Sequence, residues 1–207
     1  MPTVLRNPRK VPAPLLPEYP PTPVRRFTVD EYHRLIETGI LKSGDPYELI
    51  RGWIVPKIPI SPTHSTVVRL LDKRLQRLVG DAIVVSVQQP ITTDDSEPEP
   101  DLTLSAGPQT RYYSIHPTPA EVYLVIEVSD SSLEFDRSMK LNLYARSKIP
   151  TYWIVNIPER RVEVYTQPRG GKNPTYRTLA EYSNTQSVPV VIAGQALGEI
   201  PVSELLP

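Results

Sequence analysis

The sequence predicts an α/β fold in which helices pack on a mixed sheet. From residue 62 onward, the patterns run helix, strand, strand, strand, helix, strand, which is the order of a central sheet with helices on its faces. The run Val122–Ile126 is apolar at every position, as expected for a strand buried on both faces. With 207 residues, we expect one domain over residues 27–207.

The first 26 residues are set apart by their prolines. Of the 25 prolines in the chain, eight lie in the first 23 residues, where proline excludes a helix. We expect residues 1–26 to form an extended or disordered arm.

Local signals define the first elements of the domain. Thr28 and Glu31 have the spacing of a capping box, which predicts a helix over residues 29–38. Arg51 and Gly52 lie between two short apolar runs, which predicts a hairpin with Gly52 at positive φ.

The clearest helical pattern covers residues 62–79. Ser61 is placed to cap it and Pro62 to be its first residue. One apolar stripe follows at helical spacing, formed by Val67, Leu71, Leu75 and Leu78.

The remaining apolar runs supply the sheet. We expect its strands over residues 82–87, 100–104, 122–126 and 151–155. A helix capped by Asp136 and running to about Ser147 precedes the last of them. Beyond an amphipathic run at residues 161–165, residues 176–182 and 188–192 predict shorter peripheral strands.

Composition excludes several kinds of site. Cysteine is absent, which rules out thiolate metal sites and cysteine nucleophiles, and the three histidines lack the spacing of a zinc site. The 23 basic and 23 acidic side chains balance, so attraction to DNA would have to come from local patches. No apolar run reaches the about 18 to 20 residues of a membrane span, and the expected location is the cytoplasm.

Three side chains in the middle of the chain predict the chemistry. Asp101 follows Pro100 at the start of a strand, Glu127 ends an apolar strand, and Lys140 lies on the helix that follows. Magnesium is usually bound by one or two carboxylates, and a nearby lysine can stabilise charge on a phosphate without competing for the metal. This combination is typical of a metal-dependent nuclease.

Several short motifs occur together in a fixed order between residues 27 and 165. They are Glu48-Leu49-Ile50-Arg51-Gly52, Ser61-Pro62-Thr63-His64, Glu99-Pro100-Asp101, Val125-Ile126-Glu127-Val128-Ser129, Asp136-Arg137 to Lys140, and Tyr152-Trp153-Ile154-Val155. They resemble the PD-(D/E)xK nuclease superfamily and, more closely, the Uma-two family of bacterial endonucleases.

The resemblance implies a restriction-endonuclease-like core and a set of residue roles. Asp101 and Glu127 would bind Mg²⁺ or Mn²⁺, Glu48 would be an additional metal ligand, and Lys140 would be the catalytic lysine. His64, Ser129 and Glu99 would be auxiliary residues. The substrate would be DNA, and the protein would act as a homodimer.

One position departs from the superfamily pattern. The lysine normally stands two residues after the strand glutamate, where this chain has Ser129. Lys140 would therefore have to reach back to the carboxylates from the following helix.

Each candidate also has an ordinary structural interpretation. Asp101 could simply begin a strand, and Lys140 could pair with Asp136 one helical turn away, for about 0.2 to 0.5 kcal/mol. Glu48 could be a surface charge, and the residues by themselves favour a structural role for His64. The acidic residues 94–99 are expected to form a solvated loop, with only Glu99 close to the site.

Two other functions are compatible with the same residues. A catalytically inactive protein of this fold could bind DNA or a protein partner, as the serine at position 129 would allow. Asp101 and Glu127 could instead be the acid and base of a glycosidase. The aromatic content of 7% disfavours a sugar site.

Overall fold

The computed structural model describes residues 24–42 and 44–206. All but three residues of the predicted arm, residues 1–26, therefore lie outside the described part. The first elements are helix α1 (Val29–Glu37), the hairpin strands β1 (Tyr47–Ile50) and β2 (Trp53–Pro56), and helix α2 (Pro62–Leu78).

The local signals of these elements are confirmed. Thr28 and Glu31 form both hydrogen bonds of the capping box at the start of α1. Arg51 and Gly52 both have positive φ in the hairpin turn. The side chain of Ser61 accepts the backbone N–H of His64 at the start of α2.

The centre of the fold is one six-stranded sheet. Its strands are β3 (Ile83–Val87), β4 (Leu102–Ala106), β5 (Val122–Ser129), β6 (Thr151–Asn156), β7 (Arg161–Arg169) and β8 (Thr175–Ser183). They lie side by side in that order, and β5 and β6 are parallel while every other neighbouring pair is antiparallel. The mixed sheet expected from the sequence is confirmed.

Both faces of this sheet are covered. Leu124, Ile126 and Val128 of β5 pack in one apolar cluster with the buried stripe of α2. Val125 packs in a second cluster with the helix that precedes β6. Successive residues of β5 point to opposite faces of the sheet, and each face packs against a different helix. Strand β5 is therefore apolar at consecutive positions.

The helical segment between β5 and β6 differs from the predicted helix. It begins as α3 (Leu133–Phe135), continues as a π-helical turn over Asp136–Lys140, and ends as α4 (Leu141–Arg146). Asp136 therefore lies inside the segment and does not cap it. Its φ and ψ are helical, unlike those of a capping residue, and its buried carboxylate accepts the hydroxyls of Ser129 and Ser132.

Two further boundaries are corrected. Strand β5 continues two residues beyond Glu127, to Ser129, where its pairing with β6 ends. Strand β8, predicted to be peripheral, is the edge of the main sheet, where it pairs with β7 along its whole length. Strand β9 (Ser187–Ile192) pairs with β10 (Gln195–Pro201), which the sequence did not predict because Gly198 and a bulge interrupt its pattern.

The expectation of a solvated acidic loop is wrong. Ser96 and Glu97 are buried, because the backbone N–H of Glu97 bonds to the carbonyl of Leu49 and ties the loop to β1. Asp95 pairs with Arg146 of α4. Asp95 and Glu97 are thus held by specific contacts within the protein.

Across residues 24–42 and 44–206, none of the helices has both the length and the apolar character required to cross a membrane.

Candidate active site

A cleft of about 440 Å³ opens beside the sheet, and all four principal candidates lie on its wall. Glu48 comes from β1, Asp101 from the residue before β4, Glu127 from β5 and Lys140 from the π-helical turn. Each of them is 8% exposed or less. Four separate segments of the chain thus bring three carboxylates and one ammonium group together in this cleft.

The pairing of β4 with β5 brings Asp101 and Glu127 together. Leu102 pairs with Ile126, and the two strands are antiparallel. Asp101, the residue before Leu102, therefore lies opposite Glu127, the residue after Ile126. The backbone N–H of Asp101 is 3.4 Å from Glu127 Oε2. Residues opposite each other in antiparallel strands share a face, which explains why both carboxylates reach the cleft.

Asp101 is held by donors on both of its oxygens. Oδ2 accepts the backbone N–H of Val128 at 2.9 Å and lies 2.9 Å from His64 Nε2. Oδ1 is 3.3 Å from the amide nitrogen of Gln88, a longer contact. The side chain of Asp101 therefore has a structural role in the cleft, because it connects His64, Gln88 and Val128.

Lys140 reaches the carboxylates although the usual lysine position is occupied by serine. Its Nζ lies 2.7 Å from Glu48 Oε2 and 3.4 Å from Glu127 Oε1. Burial opposes the charged form, but the carboxylates of Glu127 and Glu48 outweigh it and raise the pKa of Lys140 above its ordinary value. The lysine pairs with these two glutamates, and the π-helical turn is the local structure that directs it there.

Glu127 is ionised less readily than an ordinary glutamate. Burial raises the pKa of Glu127 to about 8, although the ammonium of Lys140 lowers it. The hydroxyl of Tyr144 donates to Glu127 Oε1 at 2.6 Å. A buried carboxyl of this kind is stabilised in its charged form by any additional cation in the cleft.

Glu48 is not a surface charge. Its Oε2 accepts the ammonium of Lys140 and, at 3.1 Å, the backbone N–H of Glu99. The side chain of Glu99 lies on the rim of the cleft and pairs with Lys57. Glu48 therefore connects the hairpin to both the lysine and the rim.

Ser129 supports the cleft from the interior. Its side chain is fully buried, and its hydroxyl donates to Asp136 Oδ2 at 2.6 Å. Asp136 in turn lines the cleft, and burial raises its pKa. The position that usually carries the lysine thus fixes a carboxylate instead.

Gln88, Asp136 and Tyr144 form hydrogen bonds with candidate residues, and sequence reasoning did not assign them to the site. Tyr144 follows Lys140 at a spacing of four, which places both on one side of the helical segment. Gln88 carried no sequence signal, because only the pairing of β3 with β4 brings it beside Asp101.

The residues of the cleft fit a divalent cation that prefers oxygen ligands. In the part of the chain that is described, no three histidine or carboxylate side chains form a ready-made metal cage. Magnesium does not require one, since one or two carboxylates suffice when water and substrate supply the other ligands. The adjacent carboxylates of Asp101 and Glu127 match this need, and a bound cation would stabilise the charged form of Glu127, whose pKa burial raises.

A solved structure has a fold similar to this one. It is that of a putative nuclease belonging to DUF820 from Anabaena variabilis, with a TM-score of 0.61 and 15% sequence identity. The match covers 88% of this chain and 97% of that chain. At this identity the likeness bears on the fold, and it confirms the restriction-endonuclease-like α/β architecture predicted from the sequence.

Sequence comparison gives the family. No curated protein matches the chain. The model of the Uma2 family, described as putative restriction endonuclease, matches residues 29–199. Because this match spans most of the chain and contains every motif quoted above, the chain belongs to the Uma2 family.

Proposed function

We propose that this protein is a metal-dependent endonuclease that hydrolyses phosphodiester bonds in DNA. The observation that carries the proposal is the meeting of Asp101, Glu127 and Lys140 in one cleft, where two carboxylates lie beside one ammonium group. Membership of a family described as putative restriction endonuclease supports it.

Asp101 and Glu127 would hold Mg²⁺ or Mn²⁺. When bound, the ion would neutralise charge on the phosphate and lower the pKa of a bound water. Glu48 already uses Oε2 for Lys140 and for a backbone N–H, which leaves Oε1 as its only oxygen for a cation.

Lys140 would act as a fixed positive charge. Its raised pKa keeps the amine protonated at neutral pH, so it donates hydrogen bonds and does not remove protons. A preorganised donor is most effective in a site with little water, where charge develops on the phosphate oxygens. The two glutamates hold the ammonium in place before substrate arrives.

The charge of the cleft sets the order of binding. Its wall carries the carboxylates of Glu48, Asp101, Glu127 and Asp136, while Lys140 is already paired. A phosphate entering this cleft alone would be repelled. The cation is therefore expected to bind before the DNA does.

The test is cleavage of plasmid and single-stranded DNA with Mg²⁺, with Mn²⁺ and with a chelator. We expect cleavage by the wild type only with metal, and a loss of about 10² to 10³-fold in Asp101→Asn and Glu127→Gln. Glu181→Gln, an isosteric change of an exposed residue on β8, is the matched control. Unchanged metal-dependent cleavage in both site variants would show that the site is wrongly assigned.

The principal alternative is an inactive protein of this fold that binds DNA or a protein partner. Ser129, where the superfamily has its lysine, favours that alternative, whereas the ammonium of Lys140 in the cleft favours a nuclease. DNA binding without cleavage under any of the metal conditions would support the inactive protein. Hydrolysis of a glycoside with the metal removed would indicate a glycosidase.

The family resemblance also leads us to propose a homodimer in the cytoplasm. The absence of cysteine accords with a reducing compartment. Light scattering on the purified protein tests the assembly, with an expected mass twice the 23.3 kDa of one chain.

A further inference from the structure

The two oxygens of Asp101 have different surroundings. Oδ2 has two close contacts, the N–H of Val128 and the ring nitrogen Nε2 of His64, both at 2.9 Å. Oδ1 has the longer contact, 3.3 Å to the amide of Gln88. An oxygen that accepts two short hydrogen bonds has little capacity left, so Oδ1 is the oxygen better able to take a cation.

His64 is itself held firmly. It is the third residue of α2, and its backbone N–H donates to the capping hydroxyl of Ser61 at 3.1 Å. That hydroxyl donates in turn to Asp130 Oδ2 at 2.7 Å, just beyond β5. The residue is 7% exposed. The start of α2 is therefore anchored to the same edge of the sheet that carries the cleft.

The contact fixes which nitrogen carries a proton. A carboxylate oxygen accepts, so His64 Nε2 must donate. The other ring nitrogen, Nδ1, is buried and has no hydrogen-bond partner among the described residues. A proton on Nε2 satisfies Asp101 and avoids a buried, unsatisfied N–H at Nδ1.

We propose that His64 is a positioning residue that fixes the carboxylate of Asp101, with Oδ2 held by the protein and Oδ1 directed to the cation. This inference rests on the proposed function, because it assigns how one proposed ligand is oriented. Nε2 is engaged by Asp101, so His64 acts through the aspartate and does not bind the ion itself.

The physical consequence concerns metal affinity. Without the imidazole, Oδ2 keeps only the N–H of Val128, and the carboxylate can rotate about its terminal torsion, which has a broad minimum. Partners that orient a metal ligand typically contribute about 10 to 100-fold in affinity or activity. His64 should therefore matter for ion binding before any DNA is present.

The experiment is calorimetric titration of the full chain with Mn²⁺ in the absence of DNA, using wild type, His64→Ala, His64→Gln and His116→Ala. The glutamine amide reaches about as far as Nε2 and restores a donor to Asp101. His116 is exposed and serves as the matched control. Thermal unfolding without metal, for each variant, measures any general loss of structure separately.

We expect His64→Ala to raise the Mn²⁺ dissociation constant about 10 to 100-fold. His64→Gln should stay close to the wild type, and His116→Ala should not differ from it. The amount of metal giving half-maximal DNA cleavage should follow the same order. Rescue by glutamine is the result that a merely structural histidine would not produce.

The failure of this inference can be told apart from that of the proposed function. If wild type binds Mn²⁺ and His64→Ala binds it equally well, the positioning role is overturned and the nuclease assignment stands. If both His64→Ala and His64→Gln lose affinity only in proportion to lost folding, the positioning role is also overturned. If wild type binds no Mn²⁺, the proposed function and this inference fall together.

Discussion

The ammonium of Lys140 lies 2.7 Å from Glu48 Oε2, and both side chains are buried although 92 residues separate them in the chain. The contact joins the hairpin to the π-helical turn that precedes α4. Since removing one partner of a buried pair leaves an uncompensated charge, the contact should matter for stability as well as for catalysis.

A double-mutant cycle measures that contact. Glu48→Gln and Lys140→Met should each lower the free energy of unfolding, by about 3 to 5 kcal/mol where the partner stays charged. The double variant should lose less than the sum, with a coupling of about 0.5 to 3 kcal/mol. Urea unfolding of the four proteins supplies the numbers. Purely additive effects would contradict a direct interaction.

Lys140 should affect cleavage and metal binding differently. In Lys140→Met we expect the rate of DNA cleavage to fall about 10² to 10³-fold, because a fixed donor to the phosphate is lost. Mn²⁺ affinity should fall much less, because Lys140 is not a metal ligand and a bound cation itself stabilises the charged form of Glu127. Lys73→Met, on the exposed face of α2, is the control for both measurements. Parallel loss of metal binding and cleavage would instead place Lys140 in the support of the ligands.

A pH dependence of stability should arise at Glu163, away from the cleft. Burial of Glu163 opposes ionisation, but hydrogen bonds from Arg137, Asn156 and Tyr165 outweigh it and hold its pKa below the ordinary value of 4.5. The lowered pKa means that the folded state prefers the carboxylate. Its stabilisation is present above pH 4.5 and is lost as the pH falls through the folded value.

The measurement compares wild type with Glu163→Gln in urea between neutral and acid pH. We expect a difference of about 1 to 3 kcal/mol in free energy of unfolding at pH 7, shrinking below pH 4.5. Glu181→Gln, which breaks an exposed pair with Arg161, should cost less than about 1 kcal/mol. A difference that stays constant with pH would contradict the assignment.

The hairpin turn that carries Glu48 towards the cleft should tolerate no side chain at Gly52. Its φ is 79°, and a Cβ there would lie 2.6 Å from Arg26 Cβ and 2.9 Å from the carbonyl oxygen of Phe27. Gly39 has a φ of 74° with nothing within 4 Å of a Cβ, so it isolates the backbone strain. Gly39→Ala should cost about 1 to 2 kcal/mol of unfolding free energy.

Gly52→Ala should cost more than Gly39→Ala by about 1 to 3 kcal/mol, because a backbone carbonyl cannot move aside as a flexible side chain can. Urea unfolding of the two alanine variants gives the comparison. Equal losses would show that the turn relaxes and that the close approach is not a constraint.

Local signals identified the elements that local energetics determine. The capping box at Thr28, the hairpin turn at Gly52 and the apolar stripe of α2 each depend on residues a few positions apart, and each is confirmed. The π-helical turn was not predicted, because the contacts made by its residues are to other segments of the chain. Asp136 accepts the hydroxyl of Ser129 on β5, and Lys140 pairs with Glu48 on β1.

Strands β8 and β10 were harder to predict from the sequence, because their pairing also depends on distant segments. Strand β8 has the alternation of any half-exposed strand, and nothing in its residues states which neighbour it pairs with. Strand β10 is short of apolar residues and is defined by its pairing with β9. The burial of Glu97 likewise follows from one backbone contact to Leu49 across the fold.

By itself, the sequence determined the fold class, the order of the core elements and the residue types available for chemistry, because hydrophobic period and capping are properties of neighbouring residues. Only the tertiary structure decided that Asp101 lies opposite Glu127, that Lys140 lies beside Glu127 although position 129 is a serine, and that His64 contacts one oxygen of Asp101. These contacts join segments far apart in the chain. Their geometry is set by strand register and by the burial of charges that must find partners.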